Sequence, residues 1–286
     1  MQDSVLTQLI LPMIIALIMF GMGLSLVIGD FSRVVKMPKA IIAGIAGQII
    51  LMPALAFGVA IFFDLNPALA VGLMILAACP GGTTSNVICH IARANLALSV
   101  TMTAISTLIC VFSTPFIIAL AIGHFTQGNV EDFSIANTTL SLIIVTLLPL
   151  SIGLFVRHKF AATALYLEPY FRRFSAVFIG LMIIAISIEE RNTLISSFSS
   201  VFLATIALNL LAIGIGLLLG YLARLPSIDG VTLGIEVGVQ NSTLAILVGV
   251  SILKHPDYAI SAAVYGVTMY IGAFLVAFLA KKSQGR

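Results

Sequence analysis

The stretch EVGVQNS, Glu236 to Ser242, sets a carboxylate, two amides and a hydroxyl among residues that are otherwise apolar on both sides. A second polar run, Thr83 to Asn86, follows Cys79-Pro80-Gly81-Gly82 in an equally apolar stretch. Ser99 and Thr103 stand four apart a little further on, on one face of a helix. Glu236 is the only acid deep in an apolar run; the other ten lie near run ends or in the connections. An ionised side chain at the centre of a bilayer costs at least roughly 3 kcal/mol, so it needs a partner. No Lys or Arg is placed at that depth, which leaves a bound cation or a proton. Hard oxygen donors around one carboxylate suit a monovalent cation such as Na+, since Ca2+ sites gather several carboxylates. Glu236 serving alone as a proton site is the alternative.

The composition requires a lipid setting. Hydrophobic residues make up 60% of the chain, charged residues 9%, and the mean hydropathy is +1.17; soluble domains carry about a quarter charged residues. Spans in hydrocarbon must satisfy their own backbone, and the apolar runs are too long for barrel strands, so an all-α polytopic membrane protein is expected. The first run, 6–28, reads as a permanent span and not a cleaved signal. A net charge of +3 spread over the connections gives no nucleic-acid face. Cys79, Cys89 and Cys110 lie in apolar segments without C-x-x-C spacing and read as small core residues. His90, His124, His158 and His255 fall at or near run ends and read as interfacial. Met13, Met19 and FGMGLS read as close helix packing.

Nine spans are expected: 6–28, 38–63, 67–93, 95–122, 136–156, 170–189, 198–223, 229–254 and 257–280. Twelve of the fourteen basic residues fall on one side: Arg33, Lys36, Lys39, Arg93, Arg157, Lys159, Arg172, Arg173, Arg224, Lys281, Lys282 and Arg286. Basic residues stay cytoplasmic, so the N-terminus is expected outside and the C-terminus inside a cell membrane. Asp64, Glu131, Asp132, Glu189, Glu190 and Asp257 lie in the opposite connections.

The third and eighth spans cannot be regular helices. Pro80 removes a donor and Gly81 and Gly82 weaken what remains; in the eighth, Gly238 sits beside the polar cluster. Irregular backbone at mid-membrane is tolerated only where buried in protein or lining a cavity, and a matching pair of interruptions points to a transporter's binding site. Because the two lie five spans apart, they enter from opposite sides. An inverted repeat follows, pairing the first span with the sixth, the second with the seventh and the fourth with the ninth, and leaving the fifth unpaired. Rival classes are a proton-coupled carrier, a channel, for which there is no symmetric pore motif, and an enzyme, for which Glu236 lacks a companion nucleophile or acid.

FGMGLSL, ACPGGTTSNVICHIARANLALSVTMTAIST and IEVGVQNSTLA are similar to segments of the bile acid:sodium symporter family, and the resemblance extends from about residue 8 to 280. It implies a Na+-driven symporter with two co-transported sodium ions behind two crossing broken helices. One site would use Ser85, Asn86, Ser99, Thr103 and Glu236. The other would use Gln48, Glu236, the carbonyls of Val237 and Val239, and Gln240; taken by itself Gln48 reads as an interhelical hydrogen bonder ahead of a ligand. A substrate cavity lined by Thr83 and Asn241 would lie between a panel of spans 6–28, 136–156 and 170–189 and a core of the other six. Where some members carry a His-Asn pair facing the substrate, this chain has Met269 and Tyr270, which points away from a bile acid. The half-helix N-termini facing the cavity suit an anion; a small organic carboxylate is expected, with a sterol conjugate as the lesser option. No obligatory protein partner is evident.

Overall fold

The computed structural model describes residues 11–126 and 133–284. Residues 6–10 of the first expected span, Glu131, Asp132 and Arg286 lie outside the described residues. All regular structure among the described residues is helical, apart from one isolated antiparallel bridge between Gly81 and Gln240.

Helix α1 (Leu11–Ser25) bends by 62° at Leu26-Val27 into α2 (Ile28–Lys36). Helix α3 (Pro38–Phe62) opens on a proline whose missing N–H would have had no partner in the first turn. α4 (Pro67–Ala78) is capped by Asn66, whose side chain accepts from the Leu69 N–H at 3.0 Å, and α5 (Thr84–Ile91) follows the break. α6 (Leu96–Phe125) starts on Asn95, which caps the Leu98 N–H at 3.1 Å. Then come α7 (Ile135–Lys159), α8 (Ala161–Glu189), α9 (Arg191–Leu222), α10 (Ser227–Gly238), α11 (Ser242–Ile252) and, after a short 3-10 turn, α12 (Ala259–Gln284). Of three wide π turns among the described residues, one is Val248–Ile252 in α11, and two, Gly47–Leu51 in α3 and Ile143–Leu147 in α7, stand just before Pro53 and Pro149. The widened turn relieves the clash between a proline ring and the carbonyl four residues back. In α3 it also carries Gln48.

Among the described residues, six helices are long and apolar enough to cross a membrane: Pro38–Phe62, Leu96–Phe125, Ile135–Lys159, Ala161–Glu189, Phe198–Leu222 and Pro256–Lys282. The bent pair beginning with α1 makes a seventh. The remaining expected spans, 67–93 and 229–254, are the broken pairs α4/α5 and α10/α11. The chain is a multi-pass membrane protein. Helices run past the expected span ends for one reason. α8 begins at Ala161 and not 170, α9 begins at Arg191 although its membrane-capable part, Phe198–Leu222, falls on the expected 198–223, and α2 occupies an expected connection. Exposed charges such as Arg172 and Arg173 mark where apolar composition ends, but a helix continues past that point into the interface.

Helix α1 packs on α7 and α8, and α9 packs on α10 and α12; α4 touches α3, α6 and α12. At the α1–α7 crossing, glycines remove the side chains altogether. A Cβ on Gly23 would fall 2.2 Å from the Leu150 carbonyl oxygen, and one on Gly153 would fall 2.2 Å from that of Phe20. Met19 is buried beside this contact, whereas Met13 is exposed. The three cysteines are buried and unbridged.

Candidate functional site

The two breaks cross and pair. At the end of α4, Cys79 is extended (φ −74°, ψ 157°), and at the end of α10 so is Val239 (φ −109°, ψ 99°). Short extended segments expose backbone groups that a helix would have satisfied, and each segment satisfies the other. The Gly82 N–H donates to the Val239 carbonyl at 2.9 Å, and the Asn241 N–H donates to the Pro80 carbonyl at 3.0 Å. Glycine is required for this approach, because a Cβ on Gly82 would sit 2.8 Å from the Gln240 carbonyl oxygen. A Cβ on Gly81 would sit 3.1 Å from Glu236 Oε2.

Glu236, on the last turns of α10, is 2% exposed. Ser85 on α5 and Ser99 on α6 both donate to its Oε1, and Thr103 donates to Oε2 at 2.9 Å. Ser99 Oγ also lies 2.8 Å from Asn86 Oδ1. The i, i+4 spacing on α6 thus aims Ser99 and Thr103 at one carboxylate. Among the described residues the ion pairs lie elsewhere, as between Arg33 and Asp30, Arg172 and Glu168, and His255 and Asp257. Each hydroxyl keeps oxygen lone pairs after donating its proton, so the same groups that hold Glu236 can also face a cation.

On the other side of the crossing, Gln48 Nε2 donates to Gln240 Oε1 and to the Cys79 carbonyl, both at 2.9 Å. Gln240 Nε2 donates to the Val237 carbonyl at 2.7 Å and to Gln48 Oε1 at 3.3 Å. The residues expected for two ion sites, Ser85, Asn86, Ser99, Thr103 and Glu236 in one group and Gln48, Val237, Val239 and Gln240 in the other, therefore come together around one crossing. Thr83 and Asn241 are the N-caps of α5 and α11. Thr83 is exposed, while Asn241 is 8% exposed and uses its Oδ1 to accept from the Leu244 N–H at 3.1 Å. Met269 is packed in the core and Tyr270 stacks on Phe274, so of the four expected substrate residues only Thr83 and Asn241 stand at the half-helix starts.

Sequence reasoning missed two polar groups. Asp30 and Asp229 are both buried, at 3% and 6% exposed, although each lies near a helix start. Asp30 accepts from the Val27 N–H and from Arg33. Asp229 accepts from Asn95 Nδ2 at 2.8 Å, and the Asn95 N–H donates to Thr232 at 2.9 Å, tying the start of α6 to the start of α10. The second group, Asn209 and Tyr265, meets the Gly238 carbonyl. A lone amide in the apolar run ATIALNLLAIGIG was the available signal.

Comparison with known proteins bears on the same elements. The model of the Sodium Bile acid symporter family matches residues 12–197. An uncharacterized sodium-dependent transporter, YocS, of Bacillus subtilis is 34% identical over 94% of this chain and 82% of its own length. The probable chloroplastic sodium/metabolite cotransporter BASS1 of Arabidopsis thaliana is 32% identical over 93% of this chain, which spans 65% of that protein. The human ileal sodium/bile acid cotransporter is 31% identical over 84% of this chain and 69% of its own. The chain belongs to the Sodium Bile acid symporter family, whose members are sodium-dependent transporters and not enzymes.

Proposed function

We propose that this protein is a secondary active transporter that couples two Na+ to the inward passage of a small organic anion, a carboxylate, by alternating access. The observation that carries the reading is Glu236. It is buried at the crossing of two broken helices and surrounded by Ser85, Ser99 and Thr103 hydroxyls. The first ion takes Ser85, Asn86, Ser99, Thr103 and Glu236; the second takes Gln48, Glu236, Gln240 and the Val237 and Val239 carbonyls. Filling both sites fixes the crossing, and with it the anion site at Thr83 and Asn241, flanked by Met269 and Tyr270. The names of the relatives, a sodium/metabolite and a sodium/bile acid cotransporter, support an organic solute as cargo.

Nine spans in an inverted repeat frame this site. Among the described residues, four that are not glycine adopt positive φ: Asp64 (46°), Arg93 (52°), Arg224 (54°) and Lys254 (59°). They fall as two pairs, each about 160 positions apart, at the ends of corresponding helices. The backbone follows the same rule: Leu65 bonds back to Ala60 as Leu225 does to Gly220, and Ala70 to Asn66 as Gly230 does to Pro226. Helices α1, α7 and α8 form the panel and the other spans the core, in a cell membrane with the N-terminus outside and the C-terminus cytoplasmic.

The test is thermal stabilisation of the purified protein by a panel of organic anions in NaCl and in KCl at matched ionic strength. Stabilisation by a carboxylate only with Na+ present is expected. Stabilisation that ignores the cation would remove the sodium sites and leave Glu236 as a proton site.

A further inference from the structure

The Gly238 carbonyl, the last of α10 before the break, accepts two hydrogen bonds from outside the crossing. Asn209 Nδ2 on α9 donates at 2.9 Å and the Tyr265 hydroxyl on α12 donates at 2.9 Å. Both side chains are buried, at 1% and 0% exposed. The amide's orientation is fixed from its other end, because Asn209 Oδ1 accepts from the Gly272 N–H of α12 at 3.2 Å. Two glycines make the room: a Cβ on Gly272 would lie 2.3 Å from Asn209 Oδ1, and one on Gly238 would lie 2.3 Å from Ile213 Cγ1. Among the described residues, the hydrogen bonds of Asn209 and Tyr265 run to Gly238 and Gly272 and not to Glu236 or the Gln48–Gln240 pair.

The first half of the chain has a counterpart. Gln48 on α3, the helix before the first broken pair, donates its amide to the Cys79 carbonyl at the end of α4. Asn209 on α9, the helix before the second broken pair, donates its amide to the Gly238 carbonyl at the end of α10. The two amides differ in what else they hold. Gln48 reaches forward to Gln240 at the crossing, whereas Asn209 reaches back to Gly272. Pinning the Gly238 C=O also pins the planar peptide joining Gly238 to Val239. That plane sets the direction in which Val239 and Gln240 leave the helix. The Val239 carbonyl, which takes the Gly82 N–H, and the Gln240 side chain both depend on it.

We propose that Asn209 and Tyr265 are positioning residues for sodium. They hold the Gly238 carbonyl from behind, so that the Val239 carbonyl and Gln240 are kept in place for the second ion. The inference rests on the sodium reading and adds to it the part of the protein that presets one of the two sites. Neither residue is an ion ligand.

The experiment compares wild type, Tyr265→Phe and Asn209→Ala by thermal unfolding across a NaCl series at constant total salt made up with KCl. Two quantities are read: the unfolding midpoint in KCl alone, and the Na+ concentration giving half of the full Na+ shift. Tyr265→Phe is expected to raise the half-saturating Na+ roughly 3- to 10-fold, the size expected from one lost hydrogen bond, and Asn209→Ala to raise it at least as much. A merely structural role lowers the KCl midpoint and leaves half-saturation where it was, which overturns the proposal. If Asn209→Ala does not fold, Tyr265→Phe decides alone, since the lost hydroxyl leaves its ring packing in place. A wild type that does not respond to Na+ overturns the sodium reading and the positioning role together; a responding wild type with unaltered variants overturns only the latter.

Discussion

Gln48 and Gln240 exchange amide hydrogen bonds at 2.9 and 3.3 Å, joining the helix before the first break to the second break across 192 positions. Each amide oxygen keeps a lone pair, so the pair can open toward an ion without losing its own contact. Gln48→Leu removes that donor set and leaves the Cys79 carbonyl and Gln240 with lost partners. The expected result is a Na+ dependence of uptake whose Hill slope falls from near 2 toward about 1, with a stability loss of about 1–3 kcal/mol. Uptake measured against Na+ concentration checks it, and an unchanged slope rejects Gln48 as a ligand.

Glu236→Gln keeps the shape of the side chain and removes its charge. Because Glu236 is shared by both proposed sites, Na+ stabilisation should disappear at concentrations that saturate wild type. Ser85 and Ser99 keep an oxygen to donate to, and Thr103 can accept from the new amide N–H, so the fold in KCl should survive. A variant with wild-type Na+ affinity would dismiss the shared carboxylate.

Gly82→Ala drives a Cβ to within 2.8 Å of the Gln240 carbonyl oxygen, where backbone on both sides leaves little to yield. The expected cost is about 1–3 kcal/mol, as for other overpacked sites, together with loss of Na+-dependent uptake. Circular dichroism melting and a proteoliposome uptake assay separate the two effects.

Asn95→Ala supplies the contrast. Asn95 caps α6 and pairs with the buried Asp229, but it lies apart from the crossing. Losing the cap and leaving Asp229 short of a donor should lower stability by about 2 kcal/mol while half-saturating Na+ stays within about twofold. A large fall in Na+ affinity would mean that this contact belongs to the transport machinery.

Two Na+ carried with one monoanion move one net positive charge inward. A tenfold Na+ gradient supplies about 1.4 kcal/mol per ion and a 100 mV potential about 2.3 kcal/mol, together roughly 5 kcal/mol or a few thousandfold accumulation. Uptake into proteoliposomes should therefore rise when a valinomycin potential is set inside-negative. Indifference to the potential would refute this stoichiometry.

The polar cluster around Glu236 was more legible in the sequence than the elements around it. Glu236, Ser85, Ser99 and Thr103 stood out because polar groups in an apolar run need partners, and the structure brings them to one carboxylate. Pro80, Gly81 and Gly82 marked the first break for the same kind of reason: they cannot continue a helix. The early starts of α8 and α9 were hidden, since hydropathy reports where lipid ends and not where hydrogen bonding ends. Asn209 was hidden differently. One amide among Leu, Ile and Ala says that a partner exists but not which, and the Gly238 carbonyl is nearly 30 positions away in the chain. Asp229 and Asp30 looked like loop acids because their burial comes from neighbouring helices, Asn95 and Thr101 among the contacts.

The glycine contact between α1 and α7 bears on how force travels through this protein. Where Gly23 and Gly153 bring two backbones together, no rotamer lies between the helices to absorb a displacement. The pair behaves as a stiff beam, and bending should concentrate at its ends, at the 62° turn after Ser25 and at Phe160, where α7 gives way to α8. A bulkier residue at Gly23 would act like a shim between two girders, changing the angle of the whole beam instead of loosening one joint.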